Sequence, residues 1–209
     1  MKEQIANHFE PDKWKGHAAF MHYKHTGKNL IQEINALDPD LVIDAGCGHN
    51  RFKGHINNLI GFDSEPFPYV DIVDSIENIN FREGCADAIL ALGSLQFGDR
   101  EFVKKQTAKV ASWLKPGGFL VMRTMNDWLK DTEYPFWDHQ YKWTKEDVEE
   151  IGLELNLELH KGIFTEWVPE KTKDGPKWKS TRLAWWWQKP GIRQKFSIDP
   201  ISCEINERM

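Results

Sequence analysis

The run Leu41-Val42-Ile43-Asp44-Ala45-Gly46-Cys47-Gly48 constrains the fold of this chain more than any other stretch: a short apolar segment breaks into an acid and two alternating glycines. Such a run reads as a buried strand. Glycines at its end allow positive φ and let backbone N–H groups approach a ligand that any Cβ would hold off, so a bound nucleoside is the first expectation. Further short apolar runs follow at Asn58 to Phe62, Val70 to Val73, Ala88 to Leu92 and Phe119 to Arg123, and the first two of these end on Asp63 and Asp74. Between the last two, Glu101 to Leu114 carries Phe102, Val103, Val110, Trp113 and Leu114 at helical spacing and stops at Lys115-Pro116-Gly117-Gly118. Alternating strands and helices predict an α/β, doubly wound and mostly parallel sheet with helices on its faces.

The flanks fit the same plan. Leu30, Ile31, Ile34 and Leu37 form one helical stripe that Asp38-Pro39 ends. Thr144 reads as an N-cap with Glu146 and Asp147 in the first turn and Trp143 placed to staple onto Val148, starting a helix that ends near Asn156. Leu157 to Trp167 and Thr181 to Gln188 enclose a polar Pro/Gly segment and predict an antiparallel hairpin at the sheet's edge, giving seven strands. Only His49 to Asn57 separate the first two strands, and Ser64 to Tyr69, with two prolines, the next two. A parallel crossover usually takes about a dozen residues or more. The first crossover helix is therefore expected to be short or replaced by loop, and the second to be absent.

Composition narrows the class. With 209 residues, 40% hydrophobic content, ten Trp and twelve Phe, the chain can bury a substantial core. The N-terminus leads into charged and His-rich sequence, and no run has the length needed to span a bilayer, so a soluble, cytoplasmic protein without membrane partners is expected. Cys47, Cys85 and Cys203 form no Cys-x-x-Cys pair, which predicts reduced thiols and no metal site. The net charge of −5 is uneven, since residues 171–195 hold eight Lys and Arg against one acid, a net +7. That stretch reads as a solvated hairpin tip or as a surface that meets an anion.

Two families own a glycine-rich first turn with an acid closing the second strand. A dinucleotide fingerprint places a third glycine three residues after the second, a position held here by Arg51. Residues 44–50, Asp-Ala-Gly-Cys-Gly-His-Asn, instead resemble the first motif of class I S-adenosylmethionine-dependent methyltransferases, Rossmann-like and of the type 11 kind, with Asn50 in the third glycine's place. Asn tolerates the left-handed backbone better than most residues. Gly61-Phe62-Asp63, the stretch 70–76, the stretch 81–90 and 114–120 resemble the family's later motifs in order. The likeness covers residues 40–125 well and the remainder in layout only.

The resemblance implies one methyltransferase domain over residues 1–209: an N-terminal arm or lid and helix in 1–37, a cofactor-binding core in 40–125, and a substrate-side insertion, helix and hairpin in 126–209. It implies S-adenosylmethionine as cofactor, with Asp63 and Ser64 at the ribose and Asp74 and Ser75 at the adenine. Asp44, Gly46, Cys47, Gly48 and Asn50 would form the first turn, and Leu92, Gly93 and Ser94 would line the methionine moiety. Asp87, at the start of the fourth strand, is expected to be structural. Acceptor contacts are expected from Trp14, His17, Tyr23 and His25 in the arm and from Trp128, His139 and Tyr141 after the fifth strand. A His can act as a base near neutral pH. The leading expectation is methyl transfer to a small molecule. Alternatives are a nucleic-acid-directed enzyme using residues 171–195, a non-catalytic S-adenosylmethionine-binding protein, and a nicotinamide oxidoreductase. Acceptor atom and oligomeric state stay open.

Overall fold

The computed structural model describes residues 28–128, 140–169 and 179–193. The apolar stripe after residue 28 forms helix α1 (Lys28–Ala36), which stops where Asp38 turns to φ 48 before Pro39. The apolar runs become strands β1 (Val42–Ala45), β2 (Leu59–Asp63), β3 (Ile72–Val73), β4 (Ala86–Leu92) and β5 (Leu114–Trp128). Helix α2 (Arg100–Ser112) joins β4 to β5, helix α3 (Lys145–Glu154) follows, and β6 (Glu158–Pro169) and β7 (Lys179–Gln188) close the chain's sheet. The sheet has seven strands in the order β3-β2-β1-β4-β5-β7-β6. The first five are parallel and the β6–β7 hairpin is antiparallel. Turns and bends, not helices, span both early crossovers.

Alternation along the strands sends side chains to two faces. One face sets Ile43, Ala45, Ile89, Ala91, Leu120, Met122, Trp185 and Trp187 against α2, α3 and Trp143. The other sets Val42, Ala88, Leu90, Val121 and Trp186 against Leu30 and Ile34 of α1 and against Phe52 and Ile56 of the first crossover. The Trp185-Trp186-Trp187 run is thus split between the two layers. Trp143 is fully buried, 5.2 Å from Trp185 ring to ring, and its indole N–H donates to Leu95 O at 2.8 Å. The capping box of α3 forms as its residues dictate, with Thr144 and Asp147 exchanging hydrogen bonds.

Several element boundaries differ from the sequence reading, and for those of β3, β4 and α2 the contacts show why. Strand β4 begins at Ala86, two residues early, because Asp87 is held inside the sheet's lower end. Its carboxylate accepts from Asp40 N at 2.8 Å, Leu41 N at 3.1 Å and Lys115 Nζ at 2.9 Å, and it is only 1% exposed. Helix α2 stops at Ser112, not Leu114, and residues 115–118 form a bulge inside β5, not a terminating loop. Lys115 is pulled inward there by Asp40 and Asp87, and Gly117 takes φ 76 in close contact with the backbone of Arg193. Strand β3 begins at Ile72, because Asp71 answers β2 partly through its side chain, accepting from Gly61 N at 3.0 Å.

Candidate functional site

The chain runs outward from β1 through β2 to β3, then returns to lay β4 on the other side of β1. A crevice therefore opens at the carboxyl ends of β1 and β4, the place where open α/β sheets bind ligands. The two turns that end these strands meet there. Gly46 (φ 75) lies against Ser94: a Cβ on Gly46 would overlap the Ser94 Cβ, and Ser94 Oγ donates to Ala45 O. Gly48 (φ 53) and Asn50 (φ 46) carry the turn on through the left-handed region.

The turn does not present bare amides, as its sequence suggested. Gly46 N and Cys47 N donate to Phe62 O at 2.9 and 3.0 Å, and Gly48 N donates to Asp63 Oδ2 at 2.8 Å. Backbone donors this close to the core must be paired, and β2 is the partner at hand. What the glycines leave is room: a Cβ on Gly48 or on Gly93 (φ 110) would meet nothing within 4 Å.

Asp63 stands at the centre of this region. Each carboxylate oxygen takes one backbone N–H, Oδ2 from Gly48 and Oδ1 from Glu65 at 3.0 Å. A carboxylate offers about four acceptor sites, so these contacts leave room for incoming donors. Burial lifts the Asp63 carboxyl above the usual range, while the N–H groups of Glu65, Gly48 and Ser64 and the nearby His49 pull it back. Asp44 lies deeper, 3% exposed between Gly61 of β2 and Leu90 of β4. Its pKa is pushed up to about 7 by burial and then by the charge of Asp63. Burial, Asp44 and Asp63 together raise the Cys47 thiol to about 12, so at neutral pH it is a packing group and not a nucleophile.

At the far side of β2, Asp74 N donates to Asp63 O at 2.9 Å and Asp74 Oδ1 accepts from Ser75 N at 2.8 Å. The Ser75 hydroxyl is buried without a hydrogen-bond partner. Ser64 is exposed beside Asp63, and Leu92 packs partly into the α1-side core. Asn50 has a different place from the one its motif suggests. Its side-chain amide donates to Tyr69 O at 2.7 Å and to Asp71 Oδ2 at 3.1 Å, and a Cβ on Gly61 would come within 2.6 Å of it. Asn50 braces the first turn to the β2–β3 link from beneath.

Sequence reasoning passed over that link. Burial raises the Asp71 carboxyl, but Gly61 N–H, Lys53 and Asn50 more than offset it and hold it low. Above, His49 and Phe67 place their rings 4.9 Å apart and tie the turn to the link a second time. The one available signal was Gly61 before the strand-end acid, a glycine whose missing side chain Asn50 fills.

The acceptor-side residues are less concentrated. Tyr141, expected as a catalytic candidate, is drawn away: its N–H donates to Gln96 O at 2.6 Å, and its ring meets Trp143 edge-on at 5.8 Å. Burial and then a hydrogen bond to Asp147 raise its phenol well above the usual range. Trp128 ends β5 opposite Ser180. Trp14, His17, Tyr23, His25 and His139 lie outside the described residues. Among the described residues no cluster of His, Cys, Asp and Glu could hold a metal ion, and no helix is long and apolar enough to cross a membrane.

No protein-family model matches this chain, and no curated protein matches it in sequence. Solved structures do share its fold. The Burkholderia thailandensis 1,6-didemethyltoxoflavin-N1-methyltransferase, bound to 1,6-didemethyltoxoflavin and S-adenosylhomocysteine, is 15% identical, with a TM-score of 0.63 over 86% of this chain and 85% of its own. The methyltransferase in a Haloferax volcanii complex with the Trm112 methyltransferase activator is 15% identical, with a TM-score of 0.59 over 86% and 97%. The YcgJ protein of Bacillus subtilis is 13% identical, with a TM-score of 0.58 over 80% and 99%.

Proposed function

We propose that this chain, which has the class I, Rossmann-like fold of S-adenosylmethionine-dependent methyltransferases, transfers a methyl group from S-adenosylmethionine to a small-molecule acceptor. The observation that carries this reading is the junction of the β1 and β4 turns beside Asp63. The junction fits the cofactor on three counts: the open space at Gly48 and Gly93, the spare acceptor capacity of Asp63, and the buried Ser75 hydroxyl that lacks a partner. Asp63 would take the two ribose hydroxyls, Asp74 and Ser75 the adenine edge, and the Gly46 to Gly48 turn, above Asp44, the amino-acid end. The cofactor supplies a methyl carbon activated by a positive sulfur for in-line displacement.

The chain's own contribution is positional. Aligning reactants at about 3 to 3.5 Å recovers several kcal/mol of the barrier, and the Gly46–Ser94 contact fixes the two turns that frame the reaction. Acceptor-side contacts are assigned to Trp128, His139 and the arm residues Trp14, His17, Tyr23 and His25, with His139 as the candidate base.

A small acceptor is favoured over nucleic acid by the engagement of two of the eight cations of residues 171–195. Lys189 Nζ donates to Leu114 O at 2.9 Å and the Arg193 guanidinium to Leu37 O, so these cations serve the chain's own backbone. The 1,6-didemethyltoxoflavin bound to the B. thailandensis neighbour supports the same choice. The test is incubation with methyl-labelled S-adenosylmethionine and separate pools of small metabolites, RNA and DNA. Label is expected in the metabolite pool. Label in RNA or DNA would overturn the acceptor class, and tight cofactor binding with no transfer to any pool would favour a non-catalytic binding protein.

A further inference from the structure

Residues 93–99 carry the chain from β4 to α2 and lie outside both the strand ladder and the helix. Buried backbone groups there must find partners elsewhere. On one side Ser94 rests against Gly46, and its Oγ donates to Ala45 O at the end of β1. On the other, the next carbonyl, Leu95 O, accepts from Trp143 Nε1 at 2.8 Å, and both of these residues are fully buried. Two adjacent residues of the turn are thus gripped by different parts of the fold. Further along, Gln96 O accepts from Tyr141 N, and Phe97 bridges to Gln140.

Trp143 is itself firmly held. Its ring lies 5.2 Å from that of Trp185, 5.8 Å from Tyr141 and 6.1 Å from Trp187. It directly precedes Thr144, whose capping box with Asp147 fixes the start of α3, and Asp147 accepts from Arg100 Nε at the start of α2 at 3.3 Å. The anchor on Leu95 therefore joins the turn to the frames of both helices. Trp185 offers a contrast beside it: it is equally buried, but its Nε1 has no hydrogen-bond partner among the described residues.

We propose that Trp143 is a positioning residue for the amino-acid end of the cofactor: its N–H fixes the Leu95 carbonyl and so sets the Gly93–Ser94 turn at the spacing from Gly46 that admits the tail. The inference rests on the reading of the site given above, in which the β1 and β4 turns frame that end while Asp63, Asp74 and Ser75 hold the nucleoside. Without the N–H, a buried carbonyl loses its partner and the turn shifts to find another. The nucleoside contacts belong to β2 and β3 and keep their places. Trp143 thus acts on the tail alone, through Leu95.

The test is calorimetric titration of the whole chain with S-adenosylhomocysteine and with 5′-methylthioadenosine, a nucleoside without the amino-acid tail. Trp143→Phe keeps an aromatic ring and removes the N–H, and Trp185→Phe makes the same exchange where no hydrogen bond is lost. Trp143→Phe is expected to weaken S-adenosylhomocysteine about tenfold, the scale of one buried hydrogen bond, and to leave 5′-methylthioadenosine within twofold. Trp185→Phe should leave both ligands within twofold, although it too removes core volume. A general loosening of the core would move both ligands, or both variants, together. Should Trp143→Phe fail to fold, benzothienylalanine incorporated at position 143 keeps the bicyclic shape without the N–H, and the same selective loss is expected of it. Unchanged S-adenosylhomocysteine affinity, equal weakening of both ligands, or an equal effect from Trp185→Phe overturns this inference alone. Failure of both ligands to bind the unaltered chain overturns the cofactor assignment with it.

Discussion

Replacing Asp44 by Asn should stabilise the ligand-free protein at alkaline pH and leave it nearly unchanged in acid. The carboxyl is raised from 3.8 to about 7, by burial and then by Asp63. Between roughly pH 4 and pH 7 the folded chain therefore keeps a proton that the unfolded chain has lost. Wild-type stability contributed by this group is present below about pH 4 and is lost as pH rises through about 7. Three pK units at 1.36 kcal/mol each amount to about 4 kcal/mol. Asn keeps the shape and never ionises, so the variant's advantage should grow from near zero at pH 3 through about 1 kcal/mol at pH 4.5 to about 4 kcal/mol at pH 8.5. For a chain of this size that corresponds to roughly 10 °C in Tm. Thermal unfolding followed by tryptophan fluorescence, on both proteins across that range, measures the difference directly, since every other titrating group is common to the two. A difference that stays constant with pH, or a variant that melts below wild type at pH 8.5, would refute the reasoning.

Other substitutions test the frame around the site. Gly46→Ala should cost about 3 kcal/mol in urea unfolding, because the new methyl overlaps the Ser94 Cβ and the residue sits at φ 75; Ser94→Gly in the same chain should recover only the overlap part. Asp87→Asn should cost about 3 kcal/mol by leaving buried Lys115 without one of its two anions, yet S-adenosylhomocysteine affinity should hold within twofold, because the pair sits at the opposite end of the sheet. Asp63→Asn should weaken S-adenosylhomocysteine at least tenfold by calorimetry, the lower range for losing a hydrogen bond to a charged acceptor. A variant binding within twofold of wild type would remove Asp63 from the ribose site.

Much of this fold was legible because its signals are local. The runs ending on Asp63 and Asp74, the stripe of α1 and the capping box at Thr144 each carry their own boundary marker, and the shortness of the early links announced crossovers without helices. The misjudged boundaries depend on partners far along the chain. Lys115-Pro116-Gly117-Gly118 has the composition of a helix stop, but Asp40 and Asp87 draw Lys115 inward and make it a bulge within β5. The site followed the same division. Glycine, acid and spacing located the β1 turn and Asp63. That the turn's N–H groups are occupied by Phe62 and Asp63, that Asn50 braces Gly61, and that Tyr141 is tied to Asp147 arise from contacts between strands and loops that sequence order does not display.

Asp63 is the proposed ribose ligand at the junction of the β1 and β4 turns, and a crystal structure of the chain with S-adenosylhomocysteine tests that role most directly. Both ribose hydroxyls are expected within about 3 Å of the two Asp63 carboxylate oxygens, with the amino-acid tail over the Gly46 to Gly48 turn and Asp44. A ligand seated elsewhere, or an Asp63 that keeps only its contacts to Gly48 and Glu65, would contradict the account.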